Sequence, residues 1–274
     1  MNFEPERLQI RVYGDAALPT LIYLPGLHGD WTLVTSFRAA LANRVRFVEV
    51  TYPRSLTWSL EDYTNATAAA LLAQGIDRGW LLGESWGSQV GWALLGRSIK
   101  ATDRPLDQQE IGFQTEGLIL AGGFVKHPWK WGPGMLKWIG EHTPKKSYEL
   151  ELKIYARYAS FRHRHAPETL ASMEEFVARR TDLDRQAMRQ RLDLLEQYDP
   201  RPTARQTRLP VHYLAGLVDP LVPWFLVRWW LRRNCPGYRG GKTFWLADHN
   251  VLATAPARAS DWVLKWMQGA TGQA

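Results

Sequence analysis

The chain has 274 residues, 45% of them hydrophobic and 22% charged, a balance that excludes a disordered chain and fits a globular protein with a sizeable core. The net charge of +7 at pH 7 leaves three classes of partner open: nucleic acid, anionic lipid, and acidic substrates or carriers. Because no recognised nucleic-acid-binding motif accompanies this charge, we predict no nucleic-acid partner.

The N-terminal segment and the cysteine content point to a cellular compartment. Residues 1–14 carry acidic side chains and no apolar signal-peptide core, and no run approaches the roughly 18 apolar residues of a membrane span. The single cysteine, Cys235, excludes an intramolecular disulfide and a cysteine-rich metal site. It ends a predicted helix just before a proline, which favours a structural role. We expect a cytoplasmic protein that is not an integral membrane protein.

Short β-like runs alternate with helix-length segments along the chain. The predicted strands are 8–14, 20–26, 45–53, 80–84, 117–123, 211–216 and 242–247. The predicted helices between and after them are 59–74, 86–99, 220–233 and 256–269. The central strands are continuously apolar, as expected of parallel strands with helices on both faces. The pattern predicts a three-layer α/β sandwich with a mostly parallel sheet.

Charged helical patterns interrupt this alternation once, in the middle of the chain. The segments 147–161, 168–180 and 183–198 have the periodicity of amphipathic helices. We interpret residues 124–206 as a helical cap inserted into an α/β core made of residues 1–123 and 207–274. From Val125 to Gln206 there are 16 Lys and Arg against 11 Asp and Glu, so most of the excess positive charge belongs to the predicted cap.

The sharpest functional signal is a G-x-S-x-G sequence at residues 83–87, with Ser85 at its centre. It directly follows an apolar strand pattern and opens a helical pattern, which is the order that a nucleophile on a strand-to-helix turn requires. Such a turn exposes the serine oxygen above the sheet, and the flanking glycines allow the backbone to approach closely. We therefore predict that Ser85 is a nucleophile.

A serine hydroxyl needs a base, and the chain has seven histidines. His249 follows the last predicted strand, in a loop that returns to the carboxyl edge of the sheet beside the serine turn. His212 lies within a strand pattern and is predicted to belong to the core. Four others fall in the predicted cap and are less constrained: His127, His142, His163 and His165. We predict that His249 is the base.

Two aspartates compete for the role of the acid that orients this histidine. Asp219 lies in a loop after one strand and before a helix, and the order Ser, Asp, His is typical of a nucleophile on this kind of turn. Asp248 is adjacent to His249, but neighbouring loop residues usually point apart. We predict Asp219, while a helix-capping role for this residue remains an alternative.

Acyl chemistry at a serine also requires donors for the developing oxyanion. The glycine-rich turn after the second predicted strand, residues 24–30, lies at the same edge of the sheet. We assign the donors to the backbone N–H groups of Leu27 and Trp86. His28 lies within this turn, and we predict that it has an architectural or pocket-lining role.

The segments LPGLHGD, GESWGSQ, AGLVDPLVP and ADHNV, in that order, make the chain resemble the α/β-hydrolase family over nearly its whole length. The resemblance implies a mostly parallel sheet, a cap inserted after the sixth strand of the usual count, and a triad of Ser85, Asp219 and His249. Two positions differ from many relatives, which have His-Gly where this chain has Pro25-Gly26, and glycine where it has Asp248. A serine nucleophile implies acyl chemistry.

We therefore expect a serine hydrolase that cleaves carboxylic ester bonds of a small-molecule acyl substrate, with no cofactor and no metal. A thioesterase or acyltransferase, a C–C bond hydrolase and a non-catalytic binding protein of the same fold are the alternatives. Coenzyme A or an acidic carrier protein is a further candidate partner, through the basic residues Arg157, Arg162 and Arg164. Tryptophans interleaved with cations at 127–140 and 222–233 fit either core packing or peripheral contact with a membrane.

Overall fold

The computed structural model of this protein describes residues 7–102, 112–129, 134, 157 and 167–271. Its strands form one sheet in the order β1-β3-β2-β4-β5-β6-β7. Neighbouring strands are parallel except for β1, which pairs antiparallel with β3. The strands are β1 Gln9–Tyr13, β2 Thr20–Leu24, β3 Arg46–Thr51, β4 Arg78–Glu84, β5 Gln114–Ala121, β6 Val211–Gly216 and β7 Tyr238–Phe244. This confirms the predicted mostly parallel sheet.

The helices of the described ranges connect these strands or follow them. They are α1 Thr35–Ala40, α2 Leu60–Ala73, α3 Gly87–Thr102, α4 Pro167–Ala178, α5 Asp182–Gln197, α6 Arg201–Gln206, α7 Trp224–Asn234, α8 Val251–Thr254 and α9 Pro256–Thr271. The short helices α1, α6 and α8 were not predicted, because four to six residues show no helical period. The helix predicted over 220–233 was wrong at its start, since residues 220–223 form the turn that leads into α7.

Alternate residues of the central strands pack against helices on opposite faces of the sheet. On β2, Ile22 and Leu24 join a buried cluster that includes side chains of α2, α3 and α7. Leu21 and Tyr23 point to the other face, into a buried cluster that includes side chains of α1 and α9. The three predicted layers are therefore present, and the period-two alternation of the strands divides the core between them.

The predicted cap is described in part. α4 and α5 confirm the helices predicted at 168–180 and 183–198 to within about two residues at each end. The helix predicted at 147–161 lies outside the described residues except for Arg157, which is helical and exposed. The division into core and cap remains an interpretation. None of the helices described is both long enough and apolar enough to cross a bilayer.

Candidate active site

Ser85 lies on the sharp turn between β4 and α3. Its φ is +48°, a left-handed conformation that is costly for a residue with a side chain. Its N–H donates to the Ala121 carbonyl at 3.0 Å, which ties the turn to β5. A side chain at Gly87 would place its Cβ 2.1 Å from the Leu24 carbonyl oxygen, and one at Gly83 would place it 2.7 Å from Ser88 Cα. Both flanking glycines are therefore required sterically.

Three predicted residues from three different loops meet at this turn. His249 Nε2 lies 2.8 Å from Ser85 Oγ. His249 Nδ1 lies 2.9 Å from Asp219 Oδ2. The Asp219 side chain is fully buried and that of His249 is 11% exposed. Serine, imidazole and carboxylate thus form one hydrogen-bonded chain, the arrangement in which an imidazole can take the serine proton.

The Asp219 carboxylate faces His249 and also caps a turn, but it does not cap a helix, because the N-cap of α7 is Pro223. Its Oδ1 accepts the backbone N–H groups of Leu221 and Val222 at 2.8 and 2.9 Å, while Oδ2 faces His249. Asp248, the rival acid, instead accepts the N–H of Asn250 at 3.0 Å. The turn that Asp219 caps therefore also orients its carboxylate towards the imidazole.

The electrostatics of His249 favour its protonated form. Burial alone lowers the pKa of this imidazole, but its hydrogen bond to Asp219 and the charge of that carboxylate act in the opposite direction. Glu84 and Asp248 add smaller effects of the same sign, and the net pKa of His249 is raised above the usual value near 6.5. The imidazole is therefore a stronger base than a free one, as proton abstraction from a serine requires.

The predicted oxyanion donors lie at a small cavity beside the serine. Its volume is about 30 Å³, room for about two water molecules. Neither the N–H of Leu27 nor that of Trp86 has an acceptor among the backbone groups that the structure describes. The lining residues are Leu27, Ser85, Trp86, Phe124, His127, Leu192, Leu195, Leu221, Val222 and His249.

A buried polar layer lies beneath the turn, and sequence reasoning did not find it. Glu84 is 1% exposed and accepts a short hydrogen bond from the Tyr23 hydroxyl. Burial raises the pKa of Glu84 to about 7, with the bond from Tyr23 acting in the opposite direction. The Tyr23 hydroxyl also lies 3.5 Å from His28 Nε2. In the sequence, Glu84 is distinguished only by its position in the G-x-S-x-G motif. That position does not indicate that its side chain is buried.

His28 has the architectural setting that we predicted. Its ring packs edge-on against Phe176 of α4, with 5.8 Å between the ring centroids. Burial lowers the pKa of His28 to about 4, so the ring is neutral at pH 7. This histidine supports the glycine-rich turn and does not take the position of the base.

The remaining predicted residues have varied outcomes. His212 is 6% exposed and stacks on Trp266 at 4.4 Å, which confirms its core position. Cys235 is buried, and burial raises the pKa of its thiol to about 11, in accord with a structural role. His127 was considered less constrained, yet it lines the cavity at Ser85. Of the other predicted residues, Arg157 is exposed, and five lie outside the described residues: His142, Arg162, His163, Arg164 and His165.

The comparisons with known proteins agree with this architecture. The family described as "Alpha/beta hydrolase family" matches residues 21–262. None of the curated proteins matches the chain. A thermophilic esterase from Thermogutta terrifontis is similar in structure, with a TM-score of 0.72, 16% identity, and coverage of 96% of this chain and 93% of that one.

Two further solved structures share the fold. An enol-lactonase from Burkholderia xenovorans LB400 has a TM-score of 0.71 and 17% identity, covering 95% of this chain and 96% of that one. An esterase from Rhodococcus has a TM-score of 0.72 and 16% identity, covering 95% and 94%. At these identities the likeness is one of fold.

Proposed function

This chain belongs to the alpha/beta hydrolase family, and on that premise we propose that it hydrolyses carboxylic esters through an acyl-enzyme on Ser85. The observation that carries the proposal is the continuous hydrogen-bonded chain from Ser85 Oγ through His249 to Asp219. A binding protein of the same fold has no need of a nucleophile, base and orienting acid within hydrogen-bond reach of one another.

In the proposed mechanism, His249 Nε2 takes the Ser85 hydroxyl proton as Oγ forms a bond to the ester carbonyl carbon. The carbonyl π electrons move to oxygen, where the N–H groups of Leu27 and Trp86 stabilise the oxyanion. Collapse of this intermediate breaks the C–O bond, and His249 gives its proton to the leaving alcohol. A water molecule then repeats the sequence on the acyl-enzyme, and the acid is released.

Asp219 has an electrostatic role in each of these steps. Its carboxylate holds the imidazole in the tautomer that leaves Nε2 free to accept a proton, and it stabilises the imidazolium that forms. Since the pKa of His249 is raised, activity is present above that pKa. It is lost as pH falls through it, at a higher pH than for a free imidazole.

The neighbouring cavities suggest where the larger part of an ester lies. The space beside Ser85 holds only about two water molecules, whereas an adjoining cavity has a volume of about 480 Å³. His127 lines both of them, and apolar side chains such as Leu226 and Trp230 line the larger one. We expect a short acyl group at the serine, with an apolar leaving group directed towards the larger cavity.

The first test is hydrolysis of p-nitrophenyl esters from acetate to palmitate, beside an acyl-CoA series, by wild type and Ser85→Ala. We expect turnover of the shorter esters and a loss of about 10⁴-fold or more in Ser85→Ala. Activity that survives in Ser85→Ala would overturn the serine mechanism. Absence of turnover on every substrate would favour a non-catalytic binding protein, and a preference for acyl-CoA would favour the thioesterase alternative.

The two neighbouring aspartates provide a matched pair for the role of the acid. Asp219→Asn should lower kcat by about 100-fold or more, because the amide favours the wrong imidazole tautomer. Asp248→Asn should keep kcat within a few fold, because its hydrogen bond goes to the Asn250 backbone. Equal losses in both variants would contradict the assignment of the acid.

A further inference from the structure

A buried arginine from α5 holds the turn that carries one of the proposed oxyanion donors. Arg191 is 2% exposed. Its Nη1 donates to the Leu27 carbonyl at 2.6 Å, and its Nη2 donates to the Pro53 carbonyl at 2.9 Å. One guanidinium therefore joins the turn after β2 to the segment after β3.

The same guanidinium also contacts the second proposed donor residue. Its central carbon lies 6.0 Å from the ring of Trp86 and 5.7 and 5.8 Å from the rings of Tyr52 and Tyr63. These three rings pack edge-to-face on one another, with centroids 5.2 to 5.5 Å apart. Arg191 thus covers an aromatic cluster that fixes the ring of Trp86, a residue that lines the cavity at Ser85.

The local backbone is shaped around this arginine. Gly29 has a φ of +82°, and a Cβ there would lie 2.6 Å from Arg191 Nη1. The Gly29 N–H donates to the Gly26 carbonyl at 3.0 Å, which closes the turn around Leu27. Only glycine allows the turn to curve so closely around the guanidinium.

A second arginine of the same region holds the next peptide of the turn. Arg180, between α4 and α5, donates from Nη1 to the His28 carbonyl at 3.1 Å and forms a short ion pair with Asp30. Although burial raises the pKa of Asp30, the charge of Arg180 brings the net pKa of this carboxyl below its usual value. The carbonyls of two successive residues, Leu27 and His28, therefore both accept from arginines of the predicted cap.

The charge of Arg191 has no carboxylate partner within the part of the chain that the structure describes, and its Nε is buried without an acceptor. A buried cation paired only with carbonyl dipoles and aromatic faces is costly for folding. Stability alone is therefore a weak explanation for an arginine at this position. The contacts of Arg191 with both proposed donor residues, Leu27 and Trp86, provide a functional explanation.

We propose that Arg191 is a positioning residue for the oxyanion hole: by fixing the Leu27 carbonyl and the Trp86 ring, it makes the hole depend on docking of α5. This inference rests on the proposed function, since it concerns the same site. Arg191 acts through its neighbours. It should therefore stabilise the transition state, in which the two N–H groups bind the oxyanion, without strengthening the binding of the ester in its ground state.

The test compares Arg191→Met and Arg191→Lys with Arg185→Met as the matched control on the same helix. Arg185 is paired with Asp182 of the same helix at 3.0 Å, and its side chain is 18% exposed. In p-nitrophenyl ester hydrolysis we expect kcat to fall by about 100-fold in Arg191→Met with KM within about twofold. In Arg191→Lys we expect kcat to fall by about 10-fold, because one ammonium cannot hold the Leu27 and Pro53 carbonyls together. The kcat and KM of Arg185→Met should match those of wild type.

Two further readouts separate positioning from a general loss of structure. Titration of the serine with a p-nitrophenyl phosphonate counts competent sites, and we expect the same fraction in the variants as in wild type. Affinity for a trifluoromethyl ketone, whose adduct places an oxyanion in the hole, should fall by the same factor as kcat/KM. If kcat falls only in proportion to the titrated sites, the arginine is merely structural and the inference is overturned.

The outcomes also distinguish this inference from the proposed function. An active wild type with unchanged kcat in Arg191→Lys would overturn the inference and leave the function intact, even if Arg191→Met fails to fold. A wild type that turns over no ester and reacts with no phosphonate would overturn both.

Discussion

Glu84 is a buried carboxyl placed directly before the proposed nucleophile. Its Oε2 accepts from the Tyr23 hydroxyl, whereas its Oε1 is buried without a partner in the described ranges. Burial raises its pKa to about 7 from the usual 4.5. The folded protein therefore binds this proton more tightly than the unfolded chain does.

We expect the stability of the protein to depend on pH through Glu84. The stabilisation from its proton is complete below about pH 4.5 and is lost as pH rises through about 7. Because Gln cannot ionise, the free energy of unfolding of Glu84→Gln relative to wild type should rise by about 2 to 3 kcal/mol between pH 5 and pH 8. Urea unfolding at both values measures this.

Glu61→Gln provides the control, because the Glu61 side chain is 79% exposed and water solvates its charge in both states. A pH-independent difference between Glu84→Gln and wild type would show that Glu84 is ionised or solvated at both pH values.

At the scale of single residues, the sequence was informative where chemistry and position coincide. Ser85, Asp219 and His249 could be predicted because each follows a strand at the same edge of the sheet. Glu84 and Arg191 could not, since their settings depend on the packing of distant segments. The sequence does not show that Glu84 is buried. It also does not show that Arg191 donates to the carbonyl of Leu27, which is 164 residues away in the chain.

At the scale of elements, α2 links a local capping signal to the site. Ser59 and Asp62 form a capping box, in which the Asp62 N–H donates to Ser59 Oγ at 3.2 Å and the Ser59 N–H donates to Asp62 Oδ2 at 2.7 Å. Four residues after Ser59, Tyr63 packs edge-to-face on Trp86. The start of the helix thus sets the position of a ring in the aromatic cluster beside the proposed nucleophile.

Ser59→Ala should lower the free energy of unfolding by about 1 kcal/mol, because an N-terminal N–H of α2 loses its acceptor. Chemical denaturation monitored by circular dichroism measures the loss. Ser59→Thr keeps a hydroxyl at the same position and should recover most of it. If the free energy of unfolding falls by the same amount in both variants, the capping hydrogen bonds contribute little and the effect arises elsewhere in the turn.

Elements differ in how well their boundaries could be predicted, for identifiable reasons. α2 was predicted to within one residue at each end, because Ser59 and Asp62 form a capping box whose pattern is visible in the sequence. α7 begins four residues later than predicted, since the Asp219 carboxylate binds the N–H groups of Leu221 and Val222 and holds them in a turn. β7 begins four residues earlier than predicted because Gly240 and Gly241 conceal a strand pattern.

At the scale of the molecule, buried polar contacts join α4 and α5 to the sheet. Besides Arg180 and Arg191, Arg54 Nε lies 2.7 Å from Asp184 at the start of α5. At its other end, Lys126 Nζ donates to the Leu195 and Tyr198 carbonyls at 2.6 and 2.9 Å. The start of α5 is thus attached to the predicted α/β core, and its end is attached to the segment that follows β5.

We therefore expect α4, α5 and the sheet to unfold together. Tryptophan fluorescence and far-ultraviolet circular dichroism should give coincident urea transitions. Arg54→Met should shift both curves to lower urea by the same amount, because it removes the ion-pair partner of Asp184 Oδ1. Unfolding of α4 and α5 before the sheet, seen as a separate transition in one signal, would contradict this expectation.

The edge position of β7 has a consequence for self-association. Among the described residues this strand pairs with β6 on one side only, so its other side presents backbone groups that a second chain could extend. Arg239 and Lys242 lie on it, and Gly240 has a φ of +122°. Two molecules meeting along this strand would bring like charges together on an irregular backbone. The sheet therefore ends in an edge that resists growth into aggregates.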